Sequence, residues 1–207
     1  MPAPRPLRPN RTSSLVALAT IVALVASFTV LPPLSAAARP AERNSTEQRE
    51  LLMRLLADTN LELDRRILAP IGDDVPHQLV LIADLPRVAP IVRVRAVAAL
   101  AYFPNATTQR YLTSILGERG NLGTDLGTRL RQQALRSLAV GFRGEAVEDI
   151  LTLRRDREPL IRQSVANALK DAGDPRVLPV LEQWLGAEPV ITVRAAIDDA
   201  ISTLRGR

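Results

Sequence analysis

Residues 156–184 read DREPLIRQSVANALKDAGDPRVLPVLEQW, and the phasing of this stretch decides the fold. Ile161, Val165, Ala168 and Leu169 recur at the spacing of one buried helical stripe, with Arg162 directly after the first of them. Gly173-Asp174-Pro175 breaks the helix. Asp174 suits an N-cap and Pro175 the first position of a second helix. That helix continues through Val177, Val180, Leu181, Trp184 and Leu185.

The phrase is one of four. Val92-Arg93-x-x-Ala96-x-x-Ala99-Leu100 and Leu130-Arg131-x-x-Ala134-x-x-Ser137-Leu138 precede it, and Val193-Arg194-x-x-Ile197-x-x-Ala200-Ile201 follows. The starts are 38, 31 and 32 residues apart, a period that marks a helical repeat array. Second helices are expected after Leu100 (Tyr111, Leu112, Ile115, Leu116) and after Leu138, across a Gly141–Gly144 break (Ala146, Val147, Ile150, Leu151). A weaker repeat lies upstream, its first helix around residues 61–68 and its second over Leu79, Val80 and Ala83. Ser45-x-x-Gln48 has the form of a capping box. It opens a helix carrying Leu51, Leu52, Leu55 and Leu56 that fits no repeat and is read as a cap. The expectation is an all-α solenoid of about four and a half helix pairs plus a cap, with no strand pattern.

The N-terminus has a different character. Its first 38 residues hold Arg5, Arg8 and Arg11 but no Asp or Glu, then an apolar run over residues 15–31, then Ala36-Ala37-Ala38. A basic stretch, an apolar stretch and a small-residue site form a secretory signal; left uncleaved, the 17-residue run is at the short limit for a membrane anchor. The expected organisation is therefore 1–38 signal or anchor, 39–46 linker, 47–59 capping helix and 60–207 repeat domain. The repeats are expected to be exported, periplasmic or extracellular, with the membrane as a partner only through residues 15–31 if these stay attached.

Composition narrows the function. Formal charge is +5, but three of the 27 basic residues belong to the signal, leaving 24 against 22 acids. An exported body near neutrality removes most of the support for nucleic-acid binding. The chain has no Cys and one His, which excludes disulfides, thiolate metal sites and a cysteine nucleophile. No cofactor or metal is expected.

The residues quoted above resemble a known repeat class. The phrase Val/Ile-Arg-x-x-Ala-x-x-Ala-Leu with a following Gly-Asp, clearest over residues 156–184, is similar to the short HEAT-like repeats of bilin lyases and of many bacterial scaffold proteins. The resemblance covers roughly residues 60 to 207. It implies a right-handed superhelix whose faces bind proteins, and it is specific for the repeat rather than for any activity.

Candidate sites follow from the repeat. Arg93, Arg131, Arg162 and Arg194 occupy one repeat position, so stacked helices about 8–10 Å apart should set them in a ladder. Such a ladder either meets an anionic partner or stitches neighbouring repeats through carbonyls and acids. The second repeat carries a Gly-rich insertion over residues 117–127, with Arg119 and Asn121 as candidate contacts; its alternative reading is a tolerated loop. Trp184 is either core or a hot-spot anchor. His77 and the acidic groups Asp73-Asp74, Asp198-Asp199 and Glu145/Glu148/Asp149 lack a nucleophile phrase and read as caps or solvated faces. The functional expectation is a non-catalytic scaffold binding another protein in the cell envelope. Two alternatives stand beside it: a binder of anionic envelope polymer or membrane surface through the arginine stripe, and a lyase-like enzyme of the bilin-lyase type.

Overall fold

The computed structural model describes residues 40–117 and 124–206. Among these residues every regular element is helical. In chain order they are α1 (Pro40–Ala57), α2 (Arg65–Leu68), α3 (Val75–Asp84), α4 (Pro90–Ala99), α5 (Ala106–Leu116), α6 (Asp125–Phe142), α7 (Val147–Leu151), α8 (Pro159–Ala172), α9 (Leu178–Ala187) and α10 (Ile191–Arg205). The apolar run at 15–31, the signal reading and the candidates Arg119 and Asn121 lie outside the described residues.

Local chemistry sets the boundaries. Pro90 and Pro159 sit in the first turns of α4 and α8, where a missing N–H costs nothing. Asn105 caps α5 by accepting from the amides of Thr107 and Thr108, both at 2.9 Å. Asp174 Oδ1 accepts from Arg176 N at 3.0 Å, the N-cap expected there, and opens a 3-10 turn leading into α9. Gly173 ends α8 at φ 72, a left-handed position that glycine takes without a Cβ penalty.

Packing follows the repeat. The first helices stack on one another, α4 on α6, α6 on α8 and α8 on α10. Each second helix lies against the next first helix: α3 against α4, α5 against α6, α7 against α8, α9 against α10. The buried stripe of α8 is Ile161, Val165, Ala168 and Leu169, as the sequence spacing requires, and α10 buries Val193, Ile197, Ala200 and Ile201 in register with it. Asp198, Asp199 and Ser202 occupy the exposed face of α10.

Four expectations need correction. Residues 40–46, expected within a 39–46 linker, and the helix read as a cap over 47–59 form one helix, Pro40–Ala57, which runs through the Ser45-x-x-Gln48 capping box and packs on α3 and α4. It fills the place of a first helix, burying Leu52 and Leu56, with Arg49 Nε donating to Gln78 Oε1 at 2.8 Å. The helix expected at 61–68 is accordingly one turn, α2, followed by a 3-10 turn. Asp64 caps it late, through Oδ1 accepting from Ile67 N at 3.0 Å, and Pro70 cannot supply the N–H that would continue it. Third, α6 runs past Gly141 to Phe142, and the break falls on Arg143 at φ 50. Close packing accounts for a glycine at this helical position, since a Cβ there would stand 2.8 Å from the carbonyl oxygen of Ala101. Four and a half pairs therefore remain, the first being α1 with α3. The insertion is also shorter than expected, since Asp125–Gly127 form the first turn of α6 and Thr124 Oγ1 accepts from Gly127 N at 3.0 Å.

Candidate functional site

The repeat arginines separate into distinct environments. Arg162 Nε and Nη2 donate to Glu188 Oε2 and Oε1 at 2.9 and 2.7 Å, a two-pronged pair. Its Nη1 donates to the carbonyl of Asp156 at 2.9 Å. Glu188 also accepts from Trp184 Nε1 at 3.2 Å and from Val190 N at 3.1 Å. The hydrogen bonds from Arg162 hold the Glu188 carboxyl below its ordinary range against the opposing effect of burial. The same bond raises Arg162. Arg131 is 4% exposed and its Nη2 is bonded to Asp156 Oδ2. Asp156 Oδ1 in turn accepts from Glu158 N at 2.9 Å, just ahead of α8.

These pairs share a rule. Asp156 and Glu188 each stand five residues before the first apolar position of a repeat phrase, at Ile161 and Val193. The arginine of one repeat therefore reaches the acid that leads into the next. Arg93 makes the other internal choice, with Nε donating to the Ala83 carbonyl at 2.7 Å at the end of α3. Arg194 lies on the last helix and is exposed. Trp184 is buried at 9% exposure, its indole N–H committed to Glu188. His77 is exposed on α3, with Nδ1 3.3 Å from Asp74 Oδ1.

A different surface opens on the outward side of α6. Arg129, Gln132, Gln133, Arg136 and Val140 follow one another at helical spacing, opposite the buried Leu130, Ala134 and Leu138. Two cavities lie along this stripe. One, of about 540 Å³, is bounded by Ile91 and Val94 of α4, by Arg129 and Gln132, and by Ser164 and Asn167 of α8. The other, of about 490 Å³, is bounded by Leu61, Leu63, Arg95, Tyr102 and Val140. Gln133 and Arg136 line both, so the cavities form one groove along the helix. Arg95 Nη2 pins the 58–61 strap at one wall, donating to the carbonyls of Asp58 and Leu61 at 3.0 and 2.7 Å.

The sequence points to Arg131 and passes over Arg129 and Arg136, although all three are on α6. The repeated motif selects the inward arginine because repetition tracks packing. The available signal for the outward pair is phase: on a 3.6-residue period they fall opposite the apolar stripe.

Among the described residues no helix is long and apolar enough to cross a membrane. No curated protein matches the chain at a significant level. Residues 121–202 match a family model described as HEAT repeats, and this stretch holds the stacked helices α6, α8 and α10 with α7 and α9 packed against them.

Proposed function

We propose that this chain is an exported, non-catalytic scaffold that binds another protein in the cell envelope. HEAT-like repeats suit such a role because their neighbour-to-neighbour stacking leaves extended surfaces free for partners. The observation that carries the reading is the groove on α6. It presents guanidinium and amide donors beside apolar surface at Ile91, Val94, Leu63 and Val140, while Arg131 and Arg162 are consumed in holding repeats together. Export is supported by the acid-free, arginine-led apolar segment at residues 1–38.

Two measurements test it. An alkaline phosphatase reporter fused after residue 207 is active only outside the cytoplasm, so an inactive, stable fusion refutes export. Crosslinking of the full chain in intact cells should trap a discrete protein adduct; a chain that crosslinks to nothing under conditions that trap a known envelope complex refutes the scaffold.

A further inference from the structure

The groove on α6 has a chemistry more specific than a generic docking face. Arg129 and Arg136 are exposed, and among the described residues neither makes a hydrogen bond or ion pair. They are seven residues apart, which on a helix separates their backbones by about 10.5 Å. Between them lie Gln132 and Gln133, whose Nε2 atoms donate to Ser164 Oγ at 3.1 Å and Ser137 Oγ at 3.3 Å. Each amide still has a second N–H and a carbonyl oxygen to offer. The acids of the groove are less central: Asp171 lines one cavity and Glu62 the other, whereas Arg136 lines both. Lys170 adds no free charge, since its Nζ is 2.7 Å from Asp199 Oδ2. Half-exposed Ile91 and Val140 belong to different cavities, so apolar surface flanks the cationic centre.

We propose that this groove docks an extended acidic segment of a partner protein, with two carboxylates three residues apart meeting Arg129 and Arg136 and apolar residues on either side. The spacing follows from geometry. A polyproline II chain advances about 9.3 Å over three residues and returns its side chains to the same face, matching the separation of the two arginines. The glutamine amides lie where the peptide backbone would pass and can pair with its exposed N–H and C=O groups. A second copy of this chain is disfavoured as occupant, because it would bring the same cationic stripe against itself. The proposal rests on the scaffold reading and deepens it.

The test uses the full chain and a fluorescein-labelled peptide of sequence Leu-Glu-Pro-Pro-Glu-Pro-Leu, with a partner peptide in which both Glu are Lys. Fluorescence anisotropy should show saturable binding of the Glu peptide, weakened by added salt, and none of the Lys peptide. Combining Arg129→Glu with Arg136→Glu should weaken binding about tenfold or more, while Arg87→Glu with Arg155→Glu, the same charge change elsewhere, should alter it by less than about twofold. Circular dichroism melting should be unchanged in both variants, because all four side chains are exposed. No binding of the Glu peptide, or equal losses in the two variants, overturns the proposal; so does arginine-dependent binding to anionic vesicles in place of the peptide. A photocrosslinker at Gln132 and another at Gln183 on α9 separate this proposal from the scaffold reading. An acidic adduct at Gln132 supports both. A protein adduct at Gln183 with none at Gln132 overturns the groove and leaves the scaffold standing.

Discussion

Removing the Arg162 side chain should open the array at its C-terminal end. In the native structure Glu188 accepts four hydrogen bonds, two from Arg162, one from Trp184 and one from Val190 N. Its side chain is 2% exposed and that of Arg162 12%, so neither charge is well hydrated. Arg162→Ala leaves a carboxylate out of water with two of its four donors gone. Breaking a buried pair from one side costs about 3–5 kcal/mol. Because Trp184 and Val190 still donate, the low end applies, about 3 kcal/mol. For a chain of this size that lowers Tm by roughly 6–12 °C. Trp184 is the only tryptophan and bonds the same carboxylate, so urea unfolding followed by its fluorescence reads the site directly. Hydrogen exchange should quicken in α9 and α10 and stay unchanged in α3, since stability in such arrays is coupled between nearest neighbours. Adding Glu188→Gln to Arg162→Ala removes the stranded charge while keeping an acceptor for Trp184 and Val190 N, and should recover part of the loss. A loss under about 0.5 kcal/mol for Arg162→Ala would refute the view that the pair stitches the last repeat to its neighbour.

Other outcomes follow from the same geometry. Gly141→Ala places a Cβ 2.8 Å from the Ala101 carbonyl oxygen and should destabilise by about 1–3 kcal/mol in chemical denaturation. Arg143→Gly, by contrast, relieves a left-handed backbone at φ 50 and should raise stability by up to about 1 kcal/mol, read as a small upward shift in Tm. Asn105→Ala removes the acceptor for two amides at the start of α5 and should cost about 1 kcal/mol. Glu188 has a folded-state value below its ordinary 4.5. Its contribution is complete above that pH and fades as pH falls through the folded value, so acid titration should show a destabilising limb that Glu188→Gln flattens.

Much of this fold is legible in the sequence. The apolar spacing of the four phrases located α4, α6, α8 and α10, and Asp174 and Pro175 marked a start that the 3-10 turn ahead of α9 observes. Less legible was the first pair. Residues 61–68 and 47–57 both carry leucines at plausible spacing, and local pattern alone cannot choose which segment supplies the first helix. The choice depends on which one reaches α3 and α4, and α1 does so with Leu52, Leu56 and Arg49.

The same division runs through the candidate site. Periodicity determined the repeat, its stacked helices and the shared repeat position of Arg93, Arg131, Arg162 and Arg194, because a buried stripe must recur every 3.6 residues. Partners across repeats were beyond its reach: Arg131 with Asp156 and Arg162 with Glu188 are 25 and 26 residues apart, and only the packed array brings them together. The tertiary structure also decided which arginines of α6 remain free. Arg131 faces the neighbouring repeat and pairs with Asp156 there, while Arg129 and Arg136 face out into a groove that α4 and α8 complete. A groove is a property of three helices at once, so no single stretch of sequence contains it.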